Sequence, residues 1–382
     1  MQFESIARPV GHDNTHRRMI KTLPRHNDLD EALNLLSRLI AVPSFSDEET
    51  ASADIWEEWL NGKGAGKVER FHNNVFVVAD GFDPLRPTLM LNSHHDTVRP
   101  AASYTRDPFE AAVCDGRLYG LGSNDAGASG VSLALTFLQL KDMLLPFNLI
   151  FAITASEERM GKLGMRAFLP YLRERKLAPD MVLVGEPTGM QPAIAERGLL
   201  VLDAETPGVS GHAARNEGVN AIYRAIEDID RLKDFTTPRV SDVLGPVKVS
   251  VTMINAGTQH NVVPDKCNFV VDVRTTDAYS NEETVELLRK CVIWSTLTPR
   301  STRVHASVIP AHHPLVKSAV HLGLIPFVSP TTSDMALLHG IPSLKIGPGE
   351  SARSHTADEF VLVDEINEAL HIYPRLLLDI DA

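Results

Sequence analysis

A doubly wound, largely parallel α/β sheet interrupted by a ferredoxin-like α+β insertion is the fold class this sequence predicts. Three observations lead there. Short, β-branched apolar runs alternate with helical patterns through the first half of the 382 residues, as buried parallel strands and their covering helices do. After Gly198 the order becomes strand-helix-strand-strand-helix-strand, that of the split ferredoxin-like unit. After Pro314 the α/β pattern returns. A smaller domain, 198–308, is therefore expected inside a discontinuous larger one, 28–197 and 309–382, behind an N-terminal extension over 1–27.

Each element has its own signal. Leu33, Leu36, Leu39 and Ile40 fall at helical spacing, and Val42-Pro43-Ser44 ends that helix. A second helix runs from Glu49 to Leu60, capped by Ser46 or Asp47 and stopped by Gly62 and Gly64. Strands are predicted over 74–79, 87–93, 149–155 and 181–184, with helices over 126–140 and 163–174. In the insertion, strands fall over 199–205, 247–254 and 267–274, helices over 219–232 and 281–291, and 303–308 closes the set. Leu344-Lys345-Ile346 is a strand and 363–378 the last helix.

Composition narrows the function. Hydrophobic content of 43% and charged content of 23% are those of an ordinary soluble globular protein. A net charge of −12 argues against nucleic acid or an anionic membrane as partner, because both call for a basic face. Cys114, Cys267 and Cys291 are too few and scattered for a disulfide framework, so a reducing cytoplasm is expected. No apolar stretch is long enough to span a bilayer. Met1 to Asn27 lacks the apolar core of a secretory signal.

Acidic and imidazole residues sit where the predicted strands end, the place where open α/β sheets gather ligands. His94 and Asp96 are two apart at a strand end and point the same way, whereas His95 points to the other face. Asp96 is placed to orient a metal-bound imidazole, or the pair is merely a polar strand end. Asp125 follows Gly120, Gly122 and Ser123 and reads equally as a helix N-cap. A phosphate-cradling loop at Gly120–Gly130 is the weaker reading, for the third glycine and the P-loop lysine are missing. Glu157-Glu158 puts two diverging carboxylates after a buried strand, one able to bind metal and one to face the reaction centre. Glu186 follows the run Met181–Val184, and His355 returns in a glycine-rich loop near the end of the chain. Carboxylates and imidazoles without thiolate suit zinc, with cobalt or manganese as alternatives.

Five blocks then resemble, in order and context, the acetylornithine deacetylase and succinyl-diaminopimelate desuccinylase family of co-catalytic zinc metallohydrolases. They are Ser93-His94-His95-Asp96-Thr97-Val98, Gly122-Ser123-Asn124-Asp125, Glu157-Glu158, Gly185-Glu186-Pro187-Thr188, and the segment from Gly347-Pro348-Gly349 to His355-Thr356. The resemblance implies two divalent metals per chain, zinc first and cobalt second. His94, Asp125 and Glu186 would hold one, and Asp125, Glu158 and His355 the other, with Asp125 bridging. Glu157 would be the general acid/base and Asp96 would orient the site. The insertion resembles that family's dimerisation, or lid, domain. Its Gly208–Ala214 segment looks like the block whose histidine, here His212, helps bind the reacting carbonyl across a homodimer interface. Asn261 and Arg274 look like substrate-binding positions, and otherwise read as a turn and a strand-end surface charge. One departure is visible: the family often places a lysine after the bridging aspartate, where this chain has Ala126-Gly127-Ala128-Ser129.

The expected activity is hydrolysis of the amide of a small N-acyl amino acid. The Gly347–Gly349 loop and the His355–Glu359 block look most like acetylornithine deacetylase, which implies N-acetylornithine, N-acetylcitrulline or N-succinylornithine as substrate and arginine biosynthesis as setting. A dipeptidase, an aminopeptidase or a succinyl-diaminopimelate desuccinylase with the same site is the near alternative. A nucleotide-binding α/β protein and a catalytically dead binding protein are the remote ones.

Overall fold

The computed structural model describes residues 28–380, and the expected extension over 1–27 lies outside them. The main sheet has nine strands. Its centre is parallel: Asn148–Thr154, Thr88–His94, Met181–Val184 and Ser343–Lys345 lie side by side in that order. Antiparallel strands extend both flanks, with Asn74–Val78 and Val68–Phe71 on one side and Ala193–Glu196 and Ser307–Val308 on the other. Every residue of Thr88–His94 and of Asn148–Thr154 is buried, which explains their unbroken apolar stretches, Leu89–Leu91 and Leu149–Ile153.

Alternate residues of those strands serve two cores. Leu89, Leu91, Phe151 and Ile153 pack under the helices Asp28–Ile40, Thr50–Gly62, Ala128–Leu140 and Val363–Leu378. Phe151 lies there with ring centroids 5.8 Å from Trp56 and 6.2 Å from Phe137. Met90, Ile150 and Ala152 face the opposite way, onto Phe168 and Leu172 of the helix Met165–Glu174. The small residues expected in the third helix let it bury almost its whole surface. That helix begins at Ala128, two residues later than its pattern suggested, because a π turn occupies Ser123–Gly127. The helix Thr50–Gly62 carries Glu49 at its N-cap position without a side-chain cap; the expected cap Ser46 bonds Asp96 instead.

A separate antiparallel sheet runs in the order Lys248–Ala256, Lys266–Thr275, Gly198–Pro207, Thr296–Pro299. In units of its own chain order this is 2-3-1-4, the ferredoxin-like arrangement. Leu200, Leu202, Phe269, Val271 and Val273 form its core with Ala225 and Leu232 of the helix Ala221–Lys233 and Leu288 of Asn281–Cys291. Asn220 caps the first helix, and Ser280 with Glu283 forms a capping box on the second. One expectation is corrected. The closing strand is Thr296–Pro299, not 303–308, whose last two residues join the main sheet beside Ala193–Glu196. No helix of the described residues is long and apolar enough to cross a membrane.

The main sheet also buries an ion pair. Lys345 Nζ lies 2.9 Å from Glu196 Oε2, and both residues are at most 2% exposed. The lysine also donates to Thr331 O, and Glu196 accepts from Ser333 N and Oγ, so the pair clamps the 331–333 segment. Lys345→Ala should therefore destabilise the fold by about 3–5 kcal/mol, since it leaves a buried carboxylate uncompensated. Chemical denaturation checks this through a lowered midpoint.

Candidate metal centre

Parallel strands deliver the site. His94 ends Thr88–His94, Glu157 and Glu158 follow Asn148–Thr154, Glu186 follows Met181–Val184, and His355 lies in the loop after Ser343–Lys345. These four elements are neighbours in the sheet, so their carboxyl-terminal loops meet over one edge. Asp125 comes from the π turn ahead of Ala128–Leu140. Gly122 makes that turn with φ +76°, and a Cβ there would come within 2.6 Å of Thr97 Cγ2.

Two donor sets result, His94–Asp125–Glu186 and Asp125–Glu158–His355, each with one ligand atom per residue within 4.8 Å of the others. Asp125 belongs to both. Its Oδ1 lies 3.2 Å from His94 Nε2, and its Oδ2 3.7 Å from His355 Nε2. Glu186 Oε1 is 3.7 Å from His94 Nε2, and Glu158 Oε2 is 2.9 Å from His355 Nε2. Asp125 makes no helix-capping bond. The side chains singled out in the sequence as ligands are thus brought together.

Two fully buried carboxylates hold the loops that carry them. Asp96 accepts from Glu157 N at 2.9 Å, Glu158 N at 3.1 Å and Ser46 Oγ at 2.7 Å. Its backbone oxygen lies 3.0 Å from His94 Nδ1, which fixes the ring with Nε2 facing Asp125 and Glu186. Glu359 accepts from Gly122 N at 3.1 Å and from Asn124 N and Asp125 N at 2.9 Å each. Glu359 closes the His355–Glu359 block of the sequence. Asp334, bonded to Thr154 Oγ1 at 2.8 Å, is a second buried acid that no motif flagged. His95 turns away as expected, between Ser52 Oγ and Asn73 O.

Burial and like charge govern the electrostatics. Burial pushes Glu157 well above the usual carboxylate range, aided by the charges of Glu186, Asp334 and Glu158. Burial likewise lifts Glu186 to about 8, with Asp125 adding to it, and raises Glu158. His94 is buried, yet Asp125 and Asp96 raise it well above an ordinary imidazole, and Glu158 raises His355 to about 9. Such a crowd of desolvated carboxylates around the buried His94, with the exposed His355 at its rim, fits divalent cations: all donors are oxygen or nitrogen, and each set offers three.

His212, Asn261 and Arg274 are not hydrogen-bonded or ion-paired to this cluster. His212 and Asn261 are exposed neighbours in the inserted unit, where Ala213 N donates to Asn261 O and Ala214 N to His212 Nδ1. Arg274 makes a two-pronged pair with Asp272, at 2.9 and 3.2 Å.

The fold and donor sets define a metal-dependent hydrolase, and the chain belongs to the peptidase family M20/M25/M40, whose sequence profile matches residues 90–379. It is similar to the succinyl-diaminopimelate desuccinylase of Paracoccus denitrificans, 28% identical with 91% of this chain and 98% of the relative aligned. That of Cereibacter sphaeroides is 29% identical, with 90% and 97% aligned. Aminopeptidase PepT from Bacillus cereus shares the fold, with TM-score 0.74, 17% identity, and 92% and 98% of the two chains covered. A dinuclear metal binding M20 peptidase from Bacillus subtilis does so with TM-score 0.68, 16% identity, and 92% and 98% covered. These two sequence relatives are named desuccinylases, so they support the family expected from the sequence but not its leaning toward acetylornithine deacetylase.

Because Asp125 is common to both donor sets, Asp125→Ala should remove both metals together. Elemental analysis of the purified variant checks this; two retained metals per chain would reduce Asp125 to a structural turn residue.

Proposed function

We propose that this enzyme hydrolyses the amide bond of an N-acylated amino acid at a two-metal site formed by His94, Asp125, Glu158, Glu186 and His355. The observation that carries the reading is the single carboxylate of Asp125 shared by two three-residue donor sets, with Glu157 buried beside them. Zinc is the metal the donors suit best, with cobalt as a substitute. Bound there, paired divalent ions lower the proton affinity of water and polarise an acyl carbonyl. Glu157 takes the proton of the attacking water and returns it to the departing amine nitrogen. Its backbone N–H is tied to Asp96, so the carboxyl is aimed from a fixed loop. Glu157→Gln should keep the metals and the fold but lower kcat by ~10²–10⁴, measured under saturating substrate. Activity within a few-fold of wild type would remove Glu157 from the mechanism.

The acyl and amino-acid groups are a matter for assay. The Gly347–Gly349 loop and the His355 block favour N-acetylornithine and arginine biosynthesis, whereas the sequence relatives are named for N-succinyl-diaminopimelate. We assign the enzyme to N-acyl amino acids as a class, acting in the cytoplasm. A panel of N-acetylornithine, N-acetylcitrulline, N-succinylornithine, N-succinyl-diaminopimelate and dipeptides with added zinc or cobalt tests this. Turnover of any acylated amino acid above the dipeptides supports the class, and dipeptides turning over fastest would overturn it.

Asn261 and Arg274 would grip the substrate α-carboxylate, the guanidinium through the N–H groups that Asp272 leaves free. His212 would stabilise the oxyanion, arriving from a second subunit. The inserted sheet ends in an exposed strand, Lys248–Ala256, and pairing two such edges closes a symmetric homodimer. Mixing His212→Ala with Glu157→Gln, each inactive alone, should restore part of the activity, for one site of each mixed dimer then has both groups. No recovery despite proven subunit exchange would place His212 in its own subunit's site or outside the chemistry.

A further inference from the structure

Beyond the ligands and the acid/base, Glu359 is a buried acid that the mechanism above does not use. Glu359 lies four residues after His355 and is 2% exposed. Both its oxygens are committed to one turn of backbone: Oε2 to Gly122 N, and Oε1 to Asn124 N and Asp125 N. Asn124 is fastened to the same closing segment from its side chain, donating to Glu350 O at 3.1 Å and accepting from Glu350 N at 3.0 Å. The turn it grips is the one that presents Asp125, the shared member of both donor sets.

The arrangement mirrors the other half of the site. Asp96, two residues from His94, receives the N–H groups of Glu157 and Glu158, the second of which stands beside His355. Glu359, downstream of His355, receives the N–H groups of the turn whose aspartate stands beside His94. Each histidine segment thus carries a carboxylate that fixes the loop facing the other histidine. A side chain whose rotamer is set by its loop is only as well placed as that loop's backbone, and such outer partners change metal affinity by about 10–100-fold when removed.

We propose that Glu359 is a positioning residue for the metal centre, setting the bridging carboxylate of Asp125 through its three backbone hydrogen bonds. Its removal loosens both metals at once, without touching either donor set. The inference rests on the two-metal reading of the site, and the experiment separates the two.

Metal-free wild type, Glu359→Gln and Glu359→Asp are titrated with Co²⁺ and followed by visible absorption, with circular dichroism recorded on each sample. Glu359→Gln keeps the size of the side chain but turns an N–H₂ toward one of the backbone donors. Glu359→Asp keeps the acceptor pair and draws it back by one methylene. Folded variants that bind both Co²⁺ ions about 10–100-fold more weakly, with an altered absorption band and with Glu359→Asp the milder, bear the proposal out. Folded variants with wild-type affinity and spectrum overturn it. Loss of the folded chain in both variants, metal present, also overturns it, because the carboxylate would then be a staple of the fold. A wild type that takes up no Co²⁺ defeats the two-metal reading itself, an outcome distinct from equal binding by variant and wild type.

Discussion

Uncompensated negative charge at the end of a buried parallel sheet is the constraint on which the rest depends. Asp125, Glu157, Glu158, Glu186 and Asp334 gather round the buried imidazole of His94, with the exposed His355 at the rim. Ionised carboxylates so placed cost several kcal/mol each in lost hydration. Protonation relieves that cost, which is the direction in which Glu157, Glu158, Glu186 and Asp334 shift, and divalent cations relieve it by charge. Two donor sets of oxygen and nitrogen, joined at one carboxylate, offer cations a place in which ionisation becomes favourable. The site's chemistry follows from the same crowding, since a carboxyl whose proton affinity is raised can both accept and return a proton.

The fold meets this constraint by rigidity from below and cross-bracing from above. Strands buried at every residue hold the loop bases, with Phe151 packed between Trp56 and Phe137 beneath them. Above, Asp96 and Glu359 pull two loops onto the site through backbone N–H groups, so neither loop depends on long flexible side chains. The Glu196–Lys345 pair fastens a third segment, the one leading into Asp334. Charge that would be a liability elsewhere in a sheet thus serves to fix the site's borders.

Much of this was legible in the sequence, for identifiable reasons. A strand covered on both faces must be apolar throughout, so Leu149–Ile153 and Met181–Val184 announced themselves. Period-two alternation also sorted His94 from His95 correctly. The fourth strand of the inserted unit was misplaced because Thr296–Pro299 is short, half polar and ends in proline, features of an edge strand that periodicity does not register. Asp125 looked like an N-cap because the π turn that separates it from the helix has no pattern of its own. Glu359 and Asp334 act across more than 170 residues of chain, on Asp125 and Thr154, and spacing carries no trace of such contacts. Asp272 and Arg274 did offer a signal, for residues two apart on a strand share a face, and the structure pairs them.

The account's central claim is that two divalent ions sit one in each donor set with Asp125 between them. A crystal of the zinc-loaded protein, with anomalous difference maps recorded on either side of the zinc edge, tests it most directly. The account predicts two peaks per chain, one among His94, Asp125 and Glu186 and the other among Asp125, Glu158 and His355, both in contact with Asp125. Peaks lying elsewhere, or zinc at full loading with neither peak touching Asp125, would contradict it.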